Sequence, residues 1–184
     1  MTLQEVLQRT STFFQQRGLE RFRQEAEFLV CAALDLRRID LYLQFERPLQ
    51  DSELVKLRDW VKRRAQGEPL AYLCGYTEFY KSRFWVSPGV LIPRPETESL
   101  VEISVRKMAG RDFGHALDLG SGSGVIGLSL ASEMPRWEVD LVESDPVAFE
   151  LTLRNRDERG LQIRARTFHQ RAEDFLSQAN SSYD

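Results

Sequence analysis

Asp118-Leu119-Gly120-Ser121-Gly122-Ser123-Gly124 is the stretch whose reading decides the fold. Residues 116–119 before it read as a short strand, and the residues after it read as a helix to about Ser132. Three glycines at that turn let the backbone pass close to a ligand with no side chain in the way, and free amides at the head of a helix favour a polar ligand. Further along, residues 138–142 read as a second strand and 146–159 as a second helix ended by Gly160. Residues 163–169 read as a third strand. Strand, helix, strand, helix, strand in this order implies a parallel sheet with right-handed crossovers, which is half of a doubly wound α/β fold.

Upstream the pattern is helical. Thr2 and Glu5 are spaced as a capping box ahead of Leu3, Val6 and Leu7, and Gly18 is a stop. In residues 20–36, Phe22, Ala26, Leu29, Val30, Ala33 and Leu34 recur at three- and four-residue steps, an amphipathic face that core packing explains. A short helix holds Ile39, Tyr42 and Phe45. Asp51 or Ser52 can cap another whose Leu54, Leu57, Trp60 and Val61 face inward, ended by Gly67 and Pro69. Lys56, Arg58, Lys62, Arg63 and Arg64 on that helix form a solvated face with cations near the helix C-terminus, in preference to a docking surface for a nucleic acid or an acidic ribonucleoprotein partner, because a charge run is weak evidence by itself. Residues 77–80 and 84–86 read as a β-hairpin, and Pro93-Arg94-Pro95-Glu96-Thr97-Glu98 leads into a helix carrying Leu100, Val101, Ser104, Val105 and Met108. The expected division is a helical domain over 1–68, a hairpin connector over 69–95 and an incomplete Rossmann-like domain over 96–184.

Composition narrows the class of protein. With 42% hydrophobic residues in 184, the chain can bury one good core or two small ones. A net charge of -3, from 25 basic and 28 acidic side chains, argues against a generally basic nucleic-acid binder. The longest apolar runs fall well short of the roughly 20 residues that a membrane helix needs, and the N-terminus lacks the apolar core of a signal peptide, so a cytoplasmic protein is expected. Cys31 and Cys74 read as buried thiols, and His115 and His169 as polar residues at strand ends without metal or triad spacing.

The chemistry gathers at the glycine turn. Gly122, Gly124 and Gly127 also fit the dinucleotide pattern, so context must choose the ligand. Glu143, at the end of the second strand about 20 residues on, can accept both hydroxyls of a ribose, as nucleotide-type cofactors require. Hydrogen bonds to a charged acceptor contribute about 1.5–3 kcal/mol, so loss of Glu143 weakens binding by about one to two powers of ten. Asp145 before Pro146 is better explained as a helix cap. Asp118 separates the candidates: an acid just before the glycines repels phosphates and welcomes a cation. S-adenosylmethionine carries a sulfonium and an amino group and no phosphate, and so suits this edge better than NAD.

Several stretches, taken together, resemble the HemK family of S-adenosylmethionine-dependent methyltransferases. They are Gly67-Glu68-Pro69-Leu70-Ala71-Tyr72-Leu73 with Gly75, Glu78-Phe79-Tyr80, Val90-Leu91-Ile92-Pro93-Arg94-Pro95-Glu96-Thr97-Glu98, and the turn from Asp118 to Gly124. The family modifies the glutamine side-chain amide of peptide-chain release factors. The resemblance implies a helical substrate-recognition domain. It places Gly120, Ser121, Gly122, Ser123 and Gly124 around the methionine and ribose parts of the cofactor, Glu143 on the ribose hydroxyls, and Glu173 or Asp174 near the adenine. Glu143 departs conservatively from the aspartate of many relatives. Arg94 and Glu96 are expected to organise the domain junction.

The family's catalytic signature, Asn-Pro-Pro-Tyr after a fourth strand, does not occur in these residues, and Ser182-Tyr183-Asp184 resembles the start of that strand. The expectation is a truncated chain with a cofactor half-site, inactive alone, whose first strand keeps an unpaired edge prone to aggregation. Two other readings remain: a non-catalytic fragment that binds cofactor and release factor, and an amino-group methyltransferase acting on nucleic acid. The net charge speaks against the second.

Overall fold

The computed structural model describes residues 1–178 and 182–184, and the chain divides into two compact units, Met1–Cys74 and Gly75–Asp184.

The first unit contains α1 (Leu3–Gln16), α2 (Phe22–Leu34), α3 (Arg38–Leu43), α4 (Asp51–Ala65) and α5 (Leu70–Cys74). The capping box forms as expected: Thr2 Oγ1 accepts from the Glu5 N–H at 3.3 Å, and Glu5 Oε2 accepts from the Thr2 N–H at 3.0 Å. The cap of α4 differs from the sequence reading. Gln50 is the N-cap, and its N–H is taken at 2.8 Å by Glu53 Oε2, with Asp51 and Ser52 already inside the helix. Burial of Leu49 holds Gln50 in the extended conformation that a cap needs, so packing overrides the better capping residues. Phe14, Leu29, Val30 and Leu41 are fully buried, each such side chain contributing about 1.5–3 kcal/mol. In α3 the buried residue is Leu41, while Ile39 and Tyr42 are exposed. Helix α5 joins this core through Leu70 and Leu73, so the unit runs to Cys74, beyond the expected 68. Cys31 and Cys74 are half-buried instead of buried.

The second unit opens with the hairpin β1 (Tyr76–Phe79) and β2 (Ser82–Trp85), joined by Tyr80 and Lys81 at φ +41° and +64°. Both central residues at positive φ make a tight type I′ arrangement, normally left to Gly or Asn. Edge-on ring pairs, Phe79 with Phe84 and Tyr76 with Trp85, hold the strands on either side of it. A 3₁₀ turn at Pro95–Thr97 enters α6 (Glu98–Met108). Then come β3 (Gly114–Leu119), α7 (Val125–Glu133), β4 (Trp137–Glu143), α8 (Pro146–Asp157), β5 (Ala165–His169) and α9 (Ala172–Gln178). The three later strands form one parallel sheet in the order β3-β4-β5. As befits a central parallel strand, β4 is buried nearly throughout, and Val139 and Leu141 pack with Leu128, Ala131 and Trp137 of the core. Strand β5 starts at Ala165, two residues later than expected. Leu161 takes the buried position and Ile163 is 91% exposed, while Arg164 donates to the carbonyls of Ala131 and Met134 and fixes the turn.

The free side of β3 is met by the last residues. The Asp184 N–H donates to the His115 carbonyl at 2.9 Å, and Asp184 Oδ2 accepts from the His115 N–H at 3.1 Å. The Tyr183 hydroxyl donates at 2.9 Å to Asp140, a buried carboxylate that Arg166 also grips at 2.7 and 3.0 Å. Both histidines sit at strand ends, His115 against Asp140 and the Tyr183 ring, His169 stacked on Phe149.

Candidate cofactor site

The glycine turn lies at the carboxyl ends of β3 and β4, where open α/β sheets bind ligands. Gly120, Gly122 and Gly124 have φ of +69°, +59° and +81°, a region closed to most side chains. At Gly120 and Gly122 an added Cβ would meet nothing within 4 Å, so the space beside the turn is open. Gly124 is tight for another reason: a Cβ there would lie 2.8 Å from Leu128 Cδ1 and 3.2 Å from Thr152 Cγ2.

Two carboxylates flank the turn. Glu143 is buried, not solvated. Its Oε2 accepts from the Gly122 N–H, and its Oε1 from the N–H groups of Ser144 and Asp145, all at 2.8 Å. A carboxylate offers about four acceptor positions, so one remains on Oε2, enough for one ribose hydroxyl and not for the two that the sequence reading allowed, because three backbone donors take the others. Asp118 Oδ2 accepts from the Gly127 N–H at 2.8 Å, and Oδ1 has no partner among the described residues. Burial pushes the Asp118 carboxyl up to about 6; the Gly127 hydrogen bond opposes that rise and the nearby Glu143 charge adds to it. Asp145 is the N-cap of α8, accepting from the Ala148 N–H at 2.8 Å.

The serines complete the edge. Ser121 and Ser123 are 7% and 2% exposed, and neither hydroxyl has a hydrogen-bond partner among the described residues. A buried hydroxyl without a partner costs about 1–3 kcal/mol, which a polar ligand could recover. Open space over two glycines, two unpaired hydroxyls, and two carboxylates with spare acceptor positions fit a ligand with donors and a positive charge, and so fit S-adenosylmethionine.

The structure brings together Asp118, Gly120, Ser121, Gly122, Ser123, Gly124 and Glu143. It does not bring in Glu173 or Asp174. Both lie in the first turn of α9 with exposed side chains, Glu173 3.3 Å from Arg171, and no hydrogen bond among the described residues joins either to the turn or to Glu143. Sequence reading missed Thr152 and Asn155, both fully buried on α8. Thr152 Oγ1 donates to the Gly122 carbonyl and Asn155 Nδ2 to the Ser123 carbonyl, each at 2.8 Å, so α8 fixes which way the turn's amides face. Two polar residues three apart on the inward side of an amphipathic helix were the available signal.

Comparison with known proteins gives matches along most of the chain. Residues 5–75 match the PrmC N-terminal domain and residues 95–184 the Methyltransferase small domain. The chain is 41% identical to the release factor glutamine methyltransferase of Geobacter sulfurreducens over 165 residues, 88% of this chain and 56% of that protein. It is 37% identical to the enzyme of the same name from Chlorobaculum tepidum, over 88% of this chain and 57% of that one. Among solved structures it is similar to the C-terminal domain of precorrin-6Y C5,15-methyltransferase from Rhodobacter capsulatus, with a TM-score of 0.39, 21% identity, and 45% and 44% of the two chains covered. The chain spans about half the length of the curated relatives it matches.

The strand order and the family matches define a methyltransferase-type α/β domain, with three strands of its parallel sheet in place, that follows a helical N-terminal domain and a hairpin in the sequence. The chain belongs to the PrmC/HemK release factor glutamine methyltransferase family.

Proposed function

We propose that this chain is the cofactor-binding portion of an S-adenosylmethionine-dependent enzyme that methylates the side-chain amide nitrogen of a glutamine in a cytoplasmic peptide-chain release factor. The observation that carries the reading is the presence, around an open glycine turn, of Asp118 and of two serine hydroxyls that have no hydrogen-bond partner among the described residues. S-adenosylmethionine, when bound, supplies a methyl group on an electrophilic sulfonium. Asp118 balances positive charge, Ser121 and Ser123 take polar atoms of the amino acid part, and Glu143 accepts from the ribose. The family resemblance puts Glu173 or Asp174 near the adenine; both side chains are exposed on α9 and joined by no hydrogen bond to the turn among the described residues, so neither anchors the cofactor in this reading. The acceptor amide is a poor nucleophile because its lone pair is delocalised into the carbonyl, so alignment and exclusion of water carry the transfer. Alignment is the task of the Asn-Pro-Pro-Tyr segment that the family resemblance implies. These 184 residues do not contain it, and the chain alone is proposed to bind cofactor without transferring methyl.

A groove of about 420 Å³ on the first unit supports a protein partner. Val6, Phe13, Leu54, Leu57 and Val61 line it, together with Arg9, Arg58 and Lys62, which have no ion-pair partner among the described residues. Most other arginines of that unit are paired, including Arg63 with Glu68 and Arg64 with Glu25. An apolar floor with cations suits an acidic amphipathic protein segment better than a nucleic acid, whose phosphates need no such floor.

The test incubates purified release factor with methyl-labelled S-adenosylmethionine. One arm uses this chain; the other uses the chain extended by the C-terminal part of the Geobacter sulfurreducens relative. Label on a glutamine in the second arm alone supports the reading. Label on DNA instead of protein in a parallel arm, or none with the extended chain, overturns it.

A further inference from the structure

Asn155 is fully buried and makes three hydrogen bonds that run to two different places. Its Oδ1 accepts from the Trp85 N–H at 2.7 Å. Its Nδ2 donates to the Trp85 carbonyl at 3.1 Å and to the Ser123 carbonyl at 2.8 Å. The Trp85 N–H needs an acceptor and the two carbonyls need donors, so the amide has one satisfactory orientation. Trp85 ends hairpin strand β2, and Ser123 lies in the glycine turn.

The neighbouring contacts each serve one side. Glu158 accepts from Trp85 Nε1 at 2.5 Å, Arg154 stacks on the Trp85 ring at 3.6 Å, and Arg159 stacks on Phe84 at 3.6 Å; these hold the hairpin alone. Thr152 holds the turn alone. Rotating the Ser123 carbonyl would free one Asn155 proton in a buried site, and turning the amide to recover it would break both bonds to Trp85. A buried group left unsatisfied there is costly, which makes the two movements dependent on one another.

We propose that Asn155 is a positioning residue coupling the glycine turn to the hairpin, so that filling the cofactor site stiffens the backbone at Trp85. The inference rests on the proposed cofactor reading and adds a response outside the binding site. Reciprocity follows: whatever restrains the hairpin also raises affinity for the cofactor.

Residue-resolved amide hydrogen exchange on the full chain, with and without saturating S-adenosylhomocysteine, tests this. In the wild type, exchange at Trp85 should slow together with exchange at Gly122, Ser123 and Gly124, by about tenfold or more at high occupancy. In Asn155→Ser, the ligand should still protect the turn and leave Trp85 unchanged. In Glu158→Ala, which removes a hairpin-only contact, both sites should respond as in the wild type. Protection of the turn without any change at Trp85 in the wild type overturns the coupling, as does a Trp85 response that survives in Asn155→Ser. Should Asn155→Ser fail to fold, the wild-type comparison still decides. Absence of protection at both places overturns the cofactor reading, and the coupling with it.

Discussion

The helical unit and the carboxyl edge of the sheet spend their polar groups in opposite ways. In the first unit the capping box closes on itself, Arg37, Arg38, Arg47, Arg63 and Arg64 each find a carboxylate, and a continuous apolar cluster fills the interior. Among the described residues, every buried side-chain nitrogen or oxygen without a hydrogen bond belongs to the second unit, and two of these atoms are the hydroxyls of Ser121 and Ser123. Beside them stand three left-handed glycines and a carboxyl raised by burial. A region built for stability satisfies its groups internally, whereas a region built for a ligand leaves capacity open for what it will hold.

The contrast can be broken by substitutions of known stability cost. Leu29→Ala, in the first core, should lower unfolding free energy by about 2–5 kcal/mol in chemical denaturation. Its affinity for S-adenosylmethionine should stay unchanged while the protein remains folded, and a parallel loss of affinity would erase the division of labour. Gly124→Ala forces a side chain into a left-handed position against Leu128 and Thr152. It should cost about 1–3 kcal/mol and also abolish measurable binding. Glu143→Ala should weaken binding by about 10- to 100-fold in calorimetry.

Asp118 sharpens the contrast because stability and binding move in opposite directions there. Its carboxyl sits near 6 in the folded chain and about 3.9 when unfolded, so the folded state holds that proton more tightly. The contribution is fully present below about pH 4 and is lost as pH rises through about 6. Asp118→Asn should therefore raise stability at pH 7.5 by about 1–2 kcal/mol in thermal melts while weakening S-adenosylmethionine binding. In the wild type, affinity for this cationic ligand should be full above pH 6 and fall by up to about tenfold per unit below it, as the carboxylate is neutralised. The smallest effects belong to Glu173→Ala and Asp174→Ala, whose exposed side chains should alter affinity by only about twofold.

How much the sequence revealed depended on whether the signal was local. The Thr2 and Glu5 capping box, the Asp145 cap, the alternation around the glycine turn and the buried run of β4 are all set by neighbours a few residues apart, and they were legible. The cap at Gln50 was not, because buried Leu49 decides it through tertiary packing. The start of β5 shifted for the same reason, with Leu161 in place of Ile163 filling the core. Asp118 and Glu143 were legible from their positions at strand ends. Their unequal environments were not, since the three backbone donors on Glu143 come together only in the folded chain. Thr152 and Asn155 lie about 30 residues from the carbonyls they hold, so their spacing on α8 could mark them as inward-facing but could not show what they hold.

Calorimetric titration of this chain at pH 7.5 with S-adenosylmethionine and, separately, with NAD puts the ligand assignment to its most direct trial. Binding of S-adenosylmethionine alone, weakened by Glu143→Ala and by lowering the pH to 5, is the predicted result. Binding of NAD in its place, or affinity for S-adenosylmethionine indifferent to both Glu143 and pH, would contradict the assignment of this edge to a cationic methyl donor.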